Sequence, residues 1–341
     1  MSIRNGTHAV AEANRGELFR SPTRLLLGAL SPAGWRARLT ILMFHRVHER
    51  PDSLFPGEMH AATFRERMMW MRAWFNVLSL DNAVLALDRG HLPARALAIT
   101  FDDGYADNYT VALPILRDLG MPATFFVCSG FLDGGRMWND TVIESVRAAH
   151  GTVLDLASAG LGTHRIDSAE ARREAIAALL SQLKHLPIVV REERANAIAE
   201  IVGAPLPTDL MLTSSQLRAL AAAGMSIGGH TVHHPILARV DDASARKEIT
   251  DGRDALQAIV RQPVSLFAYP NGKPDADYSA SHVEMVRQLG WSGAVSTSAG
   301  AARAGSPLCE LPRFTPWRRA ASSWAWSLAS NYTTPTMCAT V

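Results

Sequence analysis

From about Arg38 onward, short apolar runs alternate with helical patterns, and this alternation restricts the chain more than any other feature it has. "LTILMF" (39–44) reads as a buried strand, "AATFRERMMWMRAWF" as a helix with apolar residues at helical spacing, and "NVLSL" as a strand. "DNAVLALDRG" reads as a short helix with Asp81 near its start and Gly90 after its end. "ALAIT" (96–100), "VALPILRDLG" and "ATFFVCSG" (123–130) continue as strand, helix and strand. "MSIGG" (225–229), "VSLFAY" (264–269) and "GAVST" (293–297) are further strands, with helical patterns at 243–260 and 279–289 between them. Strands alternating with helices pair in parallel, so an α/β fold is expected, either an open sheet or a barrel. No GxGxxG or GxxxxGK[ST] follows the first strands, which leaves a nucleotide fold without support.

One block breaks the alternation. Between Trp138 and Ala223 the pattern is almost entirely helical, with "AEARREAIAALLSQLKHL" and "REERANAIAEIVG" both carrying apolar residues at 3.6-residue periodicity. "TSSQ" (Thr213 to Gln216) is a capping box that opens a third helix ending at Gly224. The block is expected to be a helical insertion between two strands.

Two strand ends carry chemistry. "LAITFDDGYADN" sets Asp102 and Asp103 directly behind an apolar run, where a turn needs at most one Asp before its Gly. "GGHTVHHP" (Gly228 to Pro235) also follows a short strand and gathers His230, His233 and His234. The C-terminal ends of parallel strands share one rim, so the carboxylates and imidazoles are able to face each other there. Together they form a divalent-metal ligand set, with zinc the leading candidate. Pro235 disfavours helical geometry at His234, so the segment reads as a loop, and spacing alone leaves 230/233 and 230/234 both open.

At these residues the chain resembles the polysaccharide deacetylases, carbohydrate esterase family four. "TFDDG" and "HTVHH" are similar to that family's motifs TFDDG and H[ST]xxH, and the likeness runs from "ILMFHRV" to "LPRF". The resemblance implies a distorted (β/α) barrel with a helical insertion at about 138–223. It implies a catalytic domain over 38–316, an N-terminal extension over 1–37 and a tail over 317–341. It also implies that Asp103, His230 and His234 hold one divalent metal ion, with Zn2+ the leading candidate, that Asp102 is the general base, and that His233 points outward. The expected reaction is removal of N-acetyl groups from a polysaccharide, oligosaccharide or glycoconjugate. An O-acetyl esterase or another amide hydrolase at the same site is the alternative within enzymes, and a glycan-binding protein with a degenerate site is the alternative outside them.

The chain departs from the family pattern in two places. The motif RxP[FYW] corresponds to "FAYPNG" (Phe267 to Gly272), with Ala268 where Arg would stand. Tyr269, Pro270 and Asn271 are expected to line the substrate groove, with the backbone N–H of Asn271 as oxyanion donor. Arg313 in "ELPRFTP" is the candidate to orient the base in place of the missing Arg. The family's late general-acid His is also missing: after His234 only His282 remains, in a helical pattern that should lie outside the barrel. His45, which ends the first strand, is the substitute candidate for acid or substrate contact. Trp138 in "GGRMWND" is the candidate for sugar stacking.

Bulk properties agree with a globular enzyme. With 48% hydrophobic and 19% charged residues the chain has material for a core, and its net charge of +2 gives no reason to expect nucleic acid. Three widely spaced cysteines, Cys128, Cys309 and Cys338, imply no disulfide framework. "LLLGAL" (25–30) is too short to span a bilayer and poor as a signal segment, so a cytoplasmic protein is expected, in contact at most with the inner membrane surface. The tail carries Trp317, Trp324 and Trp326 beside Arg318 and Arg319, and is expected to pack back onto the barrel, with an interfacial membrane contact as the alternative.

Overall fold

The computed structural model describes residues 22–315 and 320–340. Helix α1 (Pro22–Leu30) leads into β1 (Arg38–Phe44), α2 (Ala61–Trp74), β2 (Asn76–Leu78), α3 (Leu80–Asp88) and β3 (Ala96–Phe101). A π turn (Asn108–Ala112) runs into α4 (Leu113–Leu119), followed by β4 (Thr124–Val127) and α5 (Trp138–Ala148). A hairpin of β5 (Val153–Asp155) and β6 (Thr163–Arg165) precedes α6 (Ala169–Leu183), α7 (Ile188–Val202) and α8 (Ser214–Ala222). The chain ends through β7 (Ser226–Gly229), α9 (Asp242–Val260), β8 (Leu266–Ala268), α10 (Ala280–Gln288), β9 (Gly293–Val295), β10 (Ala302–Arg303) and α11 (Ala321–Asn331).

The strands form a curled sheet in the order β10-β1-β3-β4-β7-β8-β9, with β2 sharing an edge of β3. Every pairing is parallel except that of β10 on β1. Between β9 and β1 the round is completed by residues 311–314: Leu311 bridges to Val295 and Phe314 to Leu42. The Phe314 N–H donates to the Ile41 carbonyl at 2.8 Å and the Leu311 N–H to the Ala294 carbonyl at 2.8 Å. The fold is therefore the distorted (β/α) barrel that the resemblance implied, one of the two forms the alternation left open.

Period-two alternation sorts the strand residues into two cores. Leu39, Ile41, Ala96, Ala98, Leu266 and Ala268 face inward and pack with α3. Leu42, Leu97, Ile99, Phe101, Phe125 and Phe267 face the outer helices. Small alanines on the inner face of β3 suit the narrow interior.

The block between β4 and β7 has a small core of its own, in which Val142, Val146, Ile176, Leu179 and Ile198 meet Leu54 from the loop after β1. It is not helical throughout, since β5 and β6 pair antiparallel. Strands of three residues are too short to show a period of two in the sequence. Thr213 and Gln216 form the expected capping box at the start of α8.

Within α11, Trp324 is buried and meets Trp70 edge-on at 6.1 Å, whereas Trp326 is 71% exposed. Trp317, Arg318 and Arg319 lie outside the described residues, as does the segment before Pro22. Among the described residues, no helix is long and apolar enough to cross a membrane.

Candidate active site

The alternation that builds the core of β3 also aims its end. Ala96, Ala98 and Thr100 occupy one parity, and Asp102, the next on that side, reaches the C-terminal mouth of the barrel. Asp103 should then face away. Instead its φ of 74° places it in the left-handed region, which Asp tolerates better than most residues, and its carboxylate turns to the same mouth. Gly104 follows with φ 90°, where a Cβ would lie 2.8 Å from Val127 Cγ1, so only glycine fits this turn.

The same logic places the imidazoles. On β7, a Cβ at Gly228 would lie 2.3 Å from the inward-facing Phe126 ring, and His230 is the next residue of that parity. His230 Nδ1 pairs with the Ala268 carbonyl at 2.7 Å, which sets Nδ1 as the donor and leaves the Nε2 lone pair free. Beyond it the loop turns through Thr231 (φ 67°) and His234 (φ 53°), and the His234 N–H donates to Thr231 Oγ1 at 3.1 Å. Glu248 of α9 holds the loop from outside. Its Oε2 accepts the Val232 and His233 N–H groups at 2.9 Å each, and its Oε1 pairs with His233 Nδ1 at 2.8 Å. His233 is thus turned outward, as expected.

Asp103 Oδ1 lies 3.5 Å from His230 Nε2 and 3.6 Å from His234 Nε2. That oxygen is buried and has no hydrogen-bond partner among the described residues. Burial lowers the His234 pKa to about 4, leaving a neutral ring with a free lone pair. For His230, burial works in the same direction, but Asp103 and Asp102 outweigh it and raise the value. A carboxylate oxygen converged on two imidazole nitrogens is a donor set for a divalent cation, and the residues fit one. Cys128 Sγ also lies within 4.8 Å of Asp103 and His230 ligand atoms. However, its thiol donates to the His230 carbonyl at 3.1 Å, and burial pushes its pKa well above the ordinary value.

Asp102 is held differently. Arg313 grips it in a fork, Nη1 to Oδ1 at 2.6 Å and Nη2 to Oδ2 at 2.7 Å, with both groups buried. Arg313 Nε donates to the Ser296 carbonyl at 2.9 Å. Burial alone would push the Asp102 pKa up, but the guanidinium, together with the nearby imidazoles of His230 and His45, holds the carboxyl below its ordinary value. Both aspartates open on a cleft of about 600 Å3, walled by the strand ends on one side and by α5, α6 and α7 on the other.

A sequence profile of the family described as polysaccharide deacetylase matches residues 89–294. The chain belongs to the polysaccharide deacetylase family. As such it is a hydrolase of carbon–nitrogen bonds. The YxkH protein of Bacillus subtilis (strain 168) is 22% identical over 268 residues, covering 78% of this chain and 67% of that protein. Among solved structures, the Streptococcus pyogenes deacetylase PplD in complex with acetate superposes with a TM-score of 0.55 at 21% identity, covering 82% of this chain and 92% of that one. IcaB from Ammonifex degensii gives 0.55 at 19% identity, covering 89% and 99%. Both share the barrel.

In this deacetylase, His45, Trp138 and Asn271 line the cleft together with Asp102, Asp103, His230 and His234. Tyr269 and Pro270 do not, and the expectation for them is corrected. Tyr269 has the parity of Phe267, so it faces the outer helices, where it stacks on Tyr278 at 4.0 Å and donates to the Cys309 carbonyl. Pro270 is buried beside it. His282 is also buried and does not line the cleft, with Nδ1 accepting the Ser279 N–H as part of a capping box.

Glu248 and Arg191 escape sequence reasoning. Glu248 and Arg191 both sit in helical patterns, at 243–260 and in "REERANAIAEIVG", where a charged residue carries no signal of its own. Asp140, on the first turn of α5, accepts the Tyr105 hydroxyl at 3.1 Å. Burial pushes its carboxyl up to about 7, with a smaller push from the Asp103 charge.

Proposed function

We propose that the protein is a metal-dependent deacetylase that hydrolyses the N-acetyl group of a glycan or glycoconjugate. The observation that carries this reading is the pair of adjacent carboxylates with opposite partners. Asp103 faces two imidazoles and keeps an unpartnered oxygen, while Asp102 is clamped by Arg313 and opens on the same cleft.

Asp103, His230 and His234 would hold a divalent ion, with zinc the leading candidate. His234 is preferred to Cys128 as third ligand because it lines the cleft, where a catalytic ion keeps an open position, while Cys128 is buried behind His230. Such an ion supplies Lewis-acid activation of the attacking water and of the acetyl carbonyl. Asp102 accepts the proton from that water, kept ionised and aimed by Arg313. The backbone N–H of Asn271, turned by a φ of 57°, is the candidate donor to the developing oxyanion. His45 is exposed and lines the cleft, which supports it as the donor of a proton to the departing amine. Trp138 offers a ring face to the sugar.

The test is acetate release from N-acetylated sugar oligomers by metal-loaded protein, with O-acetylated sugars as a parallel arm. Elemental analysis of Asp103→Asn, His230→Ala and His234→Ala should show lost metal, while Cys128→Ser should retain it. Folded, metal-loaded protein that frees acetate from no sugar amide or ester would refute the reading and favour a glycan-binding role.

A further inference from the structure

The block between β4 and β7 brings to the cleft a side chain that the deacetylation chemistry does not use. Arg191, on the first turn of α7, is 3% exposed, and its guanidinium lies 4.9 Å from the Trp138 ring centroid. Both residues line the cleft with His234. Nε and Nη2 of Arg191, the two donors along one edge of the fork, are buried and have no hydrogen-bond partner among the described residues. A buried cation with two idle donors is costly, and such an edge in a binding cleft calls for a ligand that completes it.

The surroundings carry the same sign. Lys184 lines the cleft as well, and an adjoining hollow of about 390 Å3 shares Lys184 and Arg191 and adds His185 and Arg239 against Asp241. Among the described residues, the carboxylates lining the catalytic cleft are Asp102 and Asp103. The first is neutralised by Arg313 and the second belongs to the cation site. The wall built by α6 and α7 therefore presents Lys184 and Arg191 to the cleft, while Glu192, the acidic neighbour that acts on Arg191, is not among the residues lining it.

We propose that Arg191, backed by Lys184 and Trp138, is a specificity-determining subsite for an oxyanion, a carboxylate or a phosphate, carried by the substrate on or beside the acetylated sugar. The inference rests on the deacetylase reading above. The idle Nε–Nη2 edge is the one that takes two oxygens of a carboxylate or phosphate in parallel. The two donors are covered, so an oxyanion entering from the cleft must draw the guanidinium toward it.

Three acetylated probes test it with the metal-loaded full chain: a neutral N-acetylglucosamine tetramer, an N-acetylated disaccharide bearing a uronic acid, and an N-acetylhexosamine 1-phosphate. In Arg191→Met, kcat/KM on the anionic probes should fall about 10- to 100-fold, mostly through KM, the span of a lost charged hydrogen bond. Arg191→Lys should fall between, and the neutral tetramer should be unaffected. The anionic probe with the larger loss tells carboxylate from phosphate. The melting temperature of ligand-free Arg191→Met should hold or rise, because an uncompensated buried charge has gone. Equal losses on all three probes, or a lower melting temperature with no change in discrimination, would overturn the subsite. Wild type that turns over no probe overturns the deacetylase reading instead. In that case, calorimetric binding of the 1-phosphate by wild type and not by Arg191→Met still supports the subsite, and no binding by either removes it.

Discussion

Arg313 and Asp102 lie 211 residues apart in sequence and meet in a two-pronged contact at 2.6 and 2.7 Å, both buried at the barrel mouth. Arg313→Lys keeps a charge but loses the fork. Removing Arg313 altogether, as in Arg313→Met, strands a buried carboxylate at a cost on the order of 3–5 kcal/mol. The sign follows from the lowered Asp102 pKa: the ionised form is favoured in the fold, so both its stabilising contribution and its use as a base are lost as pH falls through that value. Arg313→Lys should raise the Asp102 pKa and move the acid limb of the kcat/KM profile to higher pH. An unmoved limb would show that Arg313 does not set the base.

Asp102→Asn removes the proposed proton acceptor while keeping shape and one Arg313 contact. The variant should keep its metal content and fold, yet lose about 10²- to 10⁴-fold in kcat, the usual worth of a general base. Side-by-side elemental analysis and acetate release decide between loss of base and loss of metal.

The barrel was legible because alternating apolar runs and helical stretches are local signals, and each expected strand from 39–44 to 293–297 is present. The site was legible where polar residues follow a strand, as at Asp102, Asp103 and His230. It failed at Tyr269, because parity was not carried past the end of β8. It failed again at Arg191 and Glu248, because charged residues on helices look solvated until the tertiary fold covers them.

Glu248 ties the His230–His234 loop through two backbone N–H groups and the His233 ring. Glu248→Ala should weaken metal affinity about 10- to 100-fold, as loss of outer-shell support does elsewhere. His233→Ala, which leaves both backbone contacts, should weaken it far less. A metal titration of the two variants that gave equal affinities would refute this role.

Asp140 yields a pH prediction of the opposite sign to Asp102. Its folded value of about 7 lies above its ordinary 3.8, so the fold favours the protonated form. Stability of the metal-free protein should then decline as pH rises between those values and level off above about 7. Asp140→Asn should match wild type in melting temperature at pH 4 and exceed it at pH 8. Parallel melting curves at both pH values would rule this out.

The stave at 311–314 that joins β9 to β1 also delivers Arg313. During synthesis, the proposed cation ligands at 103, 230 and 234 have all left the ribosome well before this stave does. The nascent chain is thus able to assemble its ion-binding corner first and acquire a poised base last. Chains stalled at residue 310 should retain metal on an affinity bead yet liberate no acetate, a separation that ties the onset of hydrolysis to the closing of the cylinder.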